Sequence, residues 1–200
     1  MIRSKLAKAN NKSQSPPPLL FLREALKGIK THGSLLPSSK FLAQRILERM
    51  PLKKDALIVE LGAGTGSFTK RIVEWLPKSG RLLVFELNPV LAEYLQNSIC
   101  DSRVMIVCDD AAFLPQYLRD LSLPKPDCII SGLPLGQFNR PTRQALLSAV
   151  SDSLVESGTF LQFQYVLASL SHIREMFEAK VVGFEVRNFP PAFLYECKKK

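Results

Sequence analysis

The chain has 200 residues, of which 46% are apolar and 22% charged, a length and balance that suit one globular domain with a real core. Its net charge of +9 is uneven: residues 1–54 hold 12 Lys and Arg against Glu24 and Glu48, a local +10, while the remainder is close to neutral. No run approaches the ~18 apolar residues of a membrane span, Met1 to Lys12 lead into polar residues and three prolines where a signal peptide has its apolar core, and Cys100, Cys108, Cys128 and Cys197 lack Cys-x-x-Cys spacing and histidine partners, so reduced, mostly buried thiols and no metal centre are expected.

Residues 1–18 read as a basic, flexible arm, poor in large apolar groups and closed by the stiff Pro16-Pro17-Pro18. Residues 19–30 follow as an amphipathic helix. At about 100° per residue, Leu19, Phe21, Leu22, Ala25, Leu26 and Ile29 share one arc, opposite Arg23, Glu24, Lys27 and Lys30. Such a helix can lie in a bilayer interface with its cations toward anionic headgroups, or dock its apolar face on the domain that follows. That domain is expected over residues 31–200. His32 precedes a Gly33-Ser34 turn, and Ser38 or Ser39 can cap a helix running to about Met50.

The apolar strand Leu57-Ile58-Val59 runs into Glu60-Leu61-Gly62-Ala63-Gly64-Thr65-Gly66 and then a helix from Ser67. Glycines at this spacing let backbone approach a cofactor and let the helix pack close to the sheet. A second strand, Arg81 to Phe85, ends at Glu86, where a carboxylate can accept both hydroxyls of a ribose. The loop departs from Gly-x-Gly-x-x-Gly and lacks the Gly-Lys-Ser/Thr of a phosphate-binding loop, which favours a cationic, phosphate-free nucleoside. Further strands are expected at Val107, at Pro126 to Ile130 and at Thr159 to Gln164, with helices between them. Phe184 to Asn188 and Phe193 to Cys197, separated by Pro190-Pro191, are too close for a crossover helix and should pair as an antiparallel hairpin. His172 reads as structural, and Lys198-Lys199-Lys200 as a solvated tail.

Glu-x-Gly-x-Gly-x-Gly, the strand-end Glu86 and the run Val107-Cys108-Asp109-Asp110-Ala111 together resemble motifs I to III of class I S-adenosylmethionine-dependent methyltransferases. Ser131-Gly132-Leu133-Pro134-Leu135, with Gly33 to Ser39 and Pro190-Pro191-Ala192, is similar to bacterial phospholipid N-methyltransferases, relatives of the RNA adenine dimethylases, over residues 19–200. The resemblance implies an α/β fold with a seven-stranded, mostly parallel, Rossmann-like sheet and a final antiparallel hairpin. It implies S-adenosyl-L-methionine as cofactor, held by Glu60, Gly62, Ala63, Gly64, Gly66, Glu86, Leu87, Asp110, Ala111 and Ser131, with Asp109 as the alternative to Asp110. The acceptor side falls to Ser131, Leu133 and Tyr165, with Leu133 and Leu135 lining an apolar slot.

The activity implied is methylation of the amine of phosphatidylethanolamine, extending by successive steps towards phosphatidylcholine. The protein is then expected as a monomer in the cytoplasm, held by its basic arm to an anionic inner membrane surface. An RNA adenine-N6 dimethylase is the alternative. Base methylation calls for an Asn/Asp-x-Pro-Tyr/Phe loop, whose amide or acid accepts the exocyclic amine and whose ring stacks on a flipped base. Ser131 to Leu135 supply neither group, so a nucleic-acid partner is not expected.

Overall fold

In a computed structural model of the protein the described residues are 40–200 apart from 52, 166–168 and 189. The expected basic arm and amphipathic helix, His32, residues 33–39 and the caps at Ser38 or Ser39 lie outside them.

Strands β1 (Leu57–Leu61), β2 (Arg81–Phe85), β3 (Val104–Val107), β4 (Cys128–Ser131), β5 (Thr159–Gln164), β6 (Phe177–Glu185) and β7 (Ala192–Lys199) form one sheet in the order β3-β2-β1-β4-β5-β7-β6. The first five run parallel, and β7 lies antiparallel between β5 and β6. This is the mostly parallel seven-stranded sheet with a closing hairpin that the sequence implies. Strands β1, β4 and β5 are buried along their whole length, the signature of parallel strands covered on both faces.

The helices are α1 (Lys40–Leu47), α2 (Ser67–Trp75), α3 (Pro89–Ser98), α4 (Leu114–Asp120), α5 (Arg140–Ser153) and α6 (Leu170–Arg174), with a 3-10 turn at Ala111–Phe113. Two of them start on side-chain caps. Asn88 accepts from the Val90 and Leu91 amides ahead of Pro89, and Asn139 accepts from Thr142 N ahead of Pro141. Alternate strand residues face opposite layers. Leu57, Val59 and Leu61 join Leu114, Leu118, Leu146, Val150 and Ile173 of α4 to α6, while Ile58, Leu82 and Val84 join Leu42, Ile46, Phe68, Ile72 and Leu95 of α1 to α3.

Four local expectations are corrected. The sixth strand begins at Phe177 and ends at Glu185, where the sequence reading placed it over 184–188. Its period-two signal, Phe177 and Ala179 in and Glu178 and Lys180 out, is broken by an irregularity between Val181 and Gly183. The strand stops because Glu185 Oε1 accepts the Arg187 amide at 3.0 Å and folds the chain back. Arg187, and Arg45 from α1, hold that buried carboxyl down to about 2. The fourth strand starts later, at Cys128, and includes Ser131. Lys198 and Lys199 belong to β7, with Lys198 Nζ on Thr159 Oγ1 at 2.6 Å and Lys199 Nζ on Glu156 at 3.0 Å, so they are no solvated tail. Of the thiols only Cys128 and Cys197 are buried, because both sit inside strands; Cys100 is exposed.

Candidate active site

The chain lays down β1, β2 and β3 outward in one direction, then returns past β1 to build β4 and β5 on the other side. Loops leaving the carboxyl ends of β1 and β4 therefore part at the point where strand order reverses, the usual crevice of an open α/β sheet. They touch here. Gly132 N donates to Leu61 O at 3.4 Å, and a Cβ on Gly62 would lie 2.6 Å from Leu133 Cδ2.

The β1 loop is built by left-handed backbone at Gly62, Gly64 and Gly66, with φ of 77°, 58° and 78°. Side chains disfavour that region. Gly66 also lets α2 and α3 close up, since a Cβ there would meet Leu95 Cδ2 at 2.5 Å. The loop is braced from β2: Glu86, buried just past that strand, accepts Gly64 N at 2.7 Å and Asn88 N at 2.9 Å. Burial raises the Glu86 pKa, and those amides pull it back. Ala63 is buried in the α1 to α3 layer.

Glu60 lies in β1 under the same loop, fully buried, and its Oε2 has no hydrogen-bond partner. Burial pushes its pKa up to about 7, with the neighbouring Thr69 hydroxyl opposing the rise and the Glu86 charge adding to it. An acid in that state is a ready partner for polar groups of a ligand.

At the ends of β2 and β3 the rim presents Leu87, 68% exposed, and Phe113, 48% exposed. The two aspartates are distinguished by their partners. Asp109 accepts Tyr117 OH at 2.9 Å and turns toward α4, and burial and this carboxylate push the Tyr117 pKa up to about 12. Asp110 is exposed, accepts Ala112 N at 2.9 Å and opens the 3-10 turn, with Ala111 buried beside it. Asp110 is thus the carboxylate available to a ligand.

On the acceptor side, Ser131 is buried and its Oγ accepts Leu133 N at 3.1 Å, tying the hydroxyl to its own loop. Leu133 is half-buried against Gly62, but Leu135 is wholly buried among the residues of α4 to α6, so it belongs to the core and lines no slot. Tyr165 follows β5, its ring packed on the other layer and its hydroxyl hydrogen-bonded to the Asn188 side chain. Burial raises its pKa, so it stays a neutral phenol. His172 is half-buried on α6.

Sequence reasoning missed the groups behind this loop. Gln162 and Gln164 both donate to Leu133 O, at 3.1 and 2.6 Å, and Ser169 Oγ donates to Gln164 Oε1 at 3.1 Å. Arg143 of α5, buried, donates to Phe138 O at 2.9 Å and Leu135 O at 3.4 Å. The ring of Phe163, stacked on Phe68 with centroids 5.1 Å apart, fills the side-chain space of Gly132; a Cβ there would sit 2.9 Å from Phe163 Cε1. The available signal was Gln162 and Gln164 two apart in a strand otherwise apolar after Thr159, on one face and in need of partners.

The family model for ribosomal RNA adenine dimethylase matches residues 29–119, a span that ends before the β4 loop. An ornithine lipid N-methyltransferase of Singulisphaera acidiphila is 32% identical over 181 residues, covering 90% of this chain and 94% of that protein. A ribosomal RNA small subunit methyltransferase A of Thermotoga neapolitana is 37% identical over 109 residues, covering 53% of this chain and only 38% of the relative. Among solved structures, a SAM-dependent O-methyltransferase from Thermotoga maritima superposes with TM-score 0.62 at 13% identity over 88% of this chain and 71% of that one. Precorrin-6y C5,15-methyltransferase from Geobacter metallireducens gives 0.60 at 18% over 84% and 92%. At such identities these two speak for the fold alone.

Proposed function

This chain belongs to the class I S-adenosylmethionine-dependent methyltransferases, and on that premise we propose that it methylates the amine of a membrane lipid headgroup, phosphatidylethanolamine, at the bilayer surface. Its cofactor is S-adenosyl-L-methionine, which supplies an electrophilic methyl group when bound. The residues fit such a ligand: an orphaned buried carboxyl oxygen on Glu60, the Glu86 carboxylate, exposed Asp110 for an adenine amine, and Leu87 and Phe113 as apolar flanks. Transfer from a sulfonium is an in-line displacement, so the protein's task is chiefly to hold a neutral amine about 3 Å from the methyl carbon. Leu133, packed on Gly62, brings the acceptor loop against the cofactor loop.

The observation that carries the lipid reading over the nucleic-acid one is the Gly132 and Phe163 contact. With Pro134 setting the register, Gly132 stands where an Asn/Asp-x-Pro-Tyr/Phe loop has its amide or acid, and Leu135 where it has its ring. Phe163 fills the first space, and Leu135 is sealed in the core. The ribosomal RNA family match covers the cofactor half and stops short of this loop. The relative whose likeness runs nearly end to end is named for a lipid amine, which makes an ornithine lipid the second candidate acceptor.

The test is to offer labelled S-adenosylmethionine with vesicles of phosphatidylethanolamine, with vesicles containing ornithine lipid, and with ribosomal RNA. Label is expected in lipid. Label in RNA alone overturns the proposal.

A further inference from the structure

We infer that the Gly132 backbone carbonyl accepts the hydrogen bond of the substrate amine, and that Gln162 and Gln164 are positioning residues that keep the next carbonyl out of its way. The inference rests on the amine-lipid reading above and adds the atom that holds the amine.

Of Ser131 Oγ and the carbonyl oxygens of Gly132, Leu133 and Pro134, three are already engaged. Ser131 Oγ takes the Leu133 amide, and Pro134 O takes the Gln137 amide at 2.9 Å. Leu133 O receives three donors: Leu135 N at 2.8 Å, Gln162 Nε2 at 3.1 Å and Gln164 Nε2 at 2.6 Å. That exceeds its two lone pairs. The orientation of both carboxamides follows from their surroundings. Gln162 Nε2 also meets Phe163 O at 2.9 Å, and Ser169 Oγ can donate to Gln164 Oε1, so the NH2 ends must face the carbonyls. Gly132 O has no donor among the described residues.

Gly132 sits between the amide donated to Leu61 O and the Leu133 side chain packed on Gly62, at the junction of the two loops. It is half-buried, and with no donor to it among the described residues this peptide oxygen can accept a hydrogen bond from a ligand. Its neutrality suits the chemistry. A carboxylate would hold the substrate as an ammonium ion, whose nitrogen has no lone pair, whereas a carbonyl can accept one N–H of a neutral amine and leave the lone pair free. That lone pair forms the new N–C bond as the S–C bond breaks, and the resulting ammonium releases one proton to water.

The sequence contains a single Gly-Leu pair, Gly132-Leu133, so protein made with carbonyl-13C glycine and 15N leucine gives one carbonyl-to-amide NMR correlation, reporting this carbonyl alone. Short-chain phosphatidylethanolamine added in the presence of S-adenosylhomocysteine should move the Gly132 carbonyl downfield, saturating with the affinity found by calorimetry. Binding with no change at this carbonyl overturns the inference and leaves the lipid reading intact. Failure to bind any amine lipid, with no label transferred to one, overturns both. The double variant Gln162→Leu, Gln164→Leu leaves Leu135 N as the single donor to the Leu133 carbonyl and frees its other lone pair as a competing acceptor, so kcat on phosphatidylethanolamine should fall roughly 10- to 100-fold with KM and cofactor affinity little changed. Unaltered kcat in the folded variant removes the positioning role, and the NMR test on the unmodified protein stands whether or not the variant folds.

Discussion

Glu86 and Gly64 stand 22 residues apart and are joined by a 2.7 Å hydrogen bond from the glycine amide to the buried carboxylate. The same carboxylate accepts Asn88 N, so one side chain braces the glycine loop and the start of α3. Removing it leaves two amides short of a partner. Glu86→Ala should weaken S-adenosylmethionine binding roughly 10- to 100-fold, the worth of a hydrogen bond to a charged group, and lower Tm as well. Glu86→Gln, which keeps an acceptor oxygen, should lose less on both counts. Calorimetry with thermal unfolding separates these outcomes, and equal affinity in Glu86→Ala would remove Glu86 from the cofactor site.

Gly64→Val should weaken cofactor binding for a different reason: at φ 58° a branched side chain is strained and the loop must change shape. Circular dichroism should show a folded protein while the affinity falls.

Glu60 gives the ligand-free protein a pH signature. Its pKa is raised by burial to about 7, so the folded state binds a proton that the unfolded state has lost. Stability is therefore fully present below the ordinary carboxyl pKa and declines as pH climbs to about 7, by roughly 3 kcal/mol in all. Glu60→Gln should flatten that decline and raise Tm at pH 8. Urea unfolding of both proteins between pH 5 and pH 8 checks it; parallel curves would mean Glu60 is ionised in the folded state throughout.

Gly132→Asn should cost about 1–3 kcal/mol, because the new side chain must displace the buried, stacked Phe163 ring. Phe163→Ala alone should cost about 3–5 kcal/mol through its cavity. The double variant should lose less than the sum of the two, since each change relieves the other. Strict additivity in urea unfolding would show that the two positions do not compete for one space.

The leucines of the acceptor loop should part company. Leu135→Asp buries an unpaired charge in the core and should prevent folding, whereas Leu133→Asp, half-buried at the crevice, should fold and bind cofactor yet lose turnover on lipid. Soluble expression and labelled-methyl transfer distinguish them.

Glycines 62, 64 and 66, the strand-end Glu86 and the short Pro190-Pro191 gap were legible in the sequence because they depend on neighbours a few residues away. A left-handed turn favours glycine, and a parallel strand buried on both faces is predominantly apolar, with Glu60 and Gln162 among the exceptions. Those local requirements carried the strands and the glycine loop of the cofactor half and the closing hairpin. They did not extend to the sixth strand, an edge strand whose alternation is broken between Val181 and Gly183. Nor could spacing alone divide Asp109 from Asp110, or Leu133 from Leu135. Adjacent aspartates part company only when Tyr117 takes one of them, and two leucines of one loop only when Gly62 meets one and the core encloses the other. The same holds for Gly132, whose space is filled from a strand 31 residues on by Phe163, and for Leu133 O, claimed by Gln164 across an equal separation. Backbone conformation is set by the residue that adopts it, but the environment of a side chain is set by whatever the sheet brings beside it, and only the folded chain decides that.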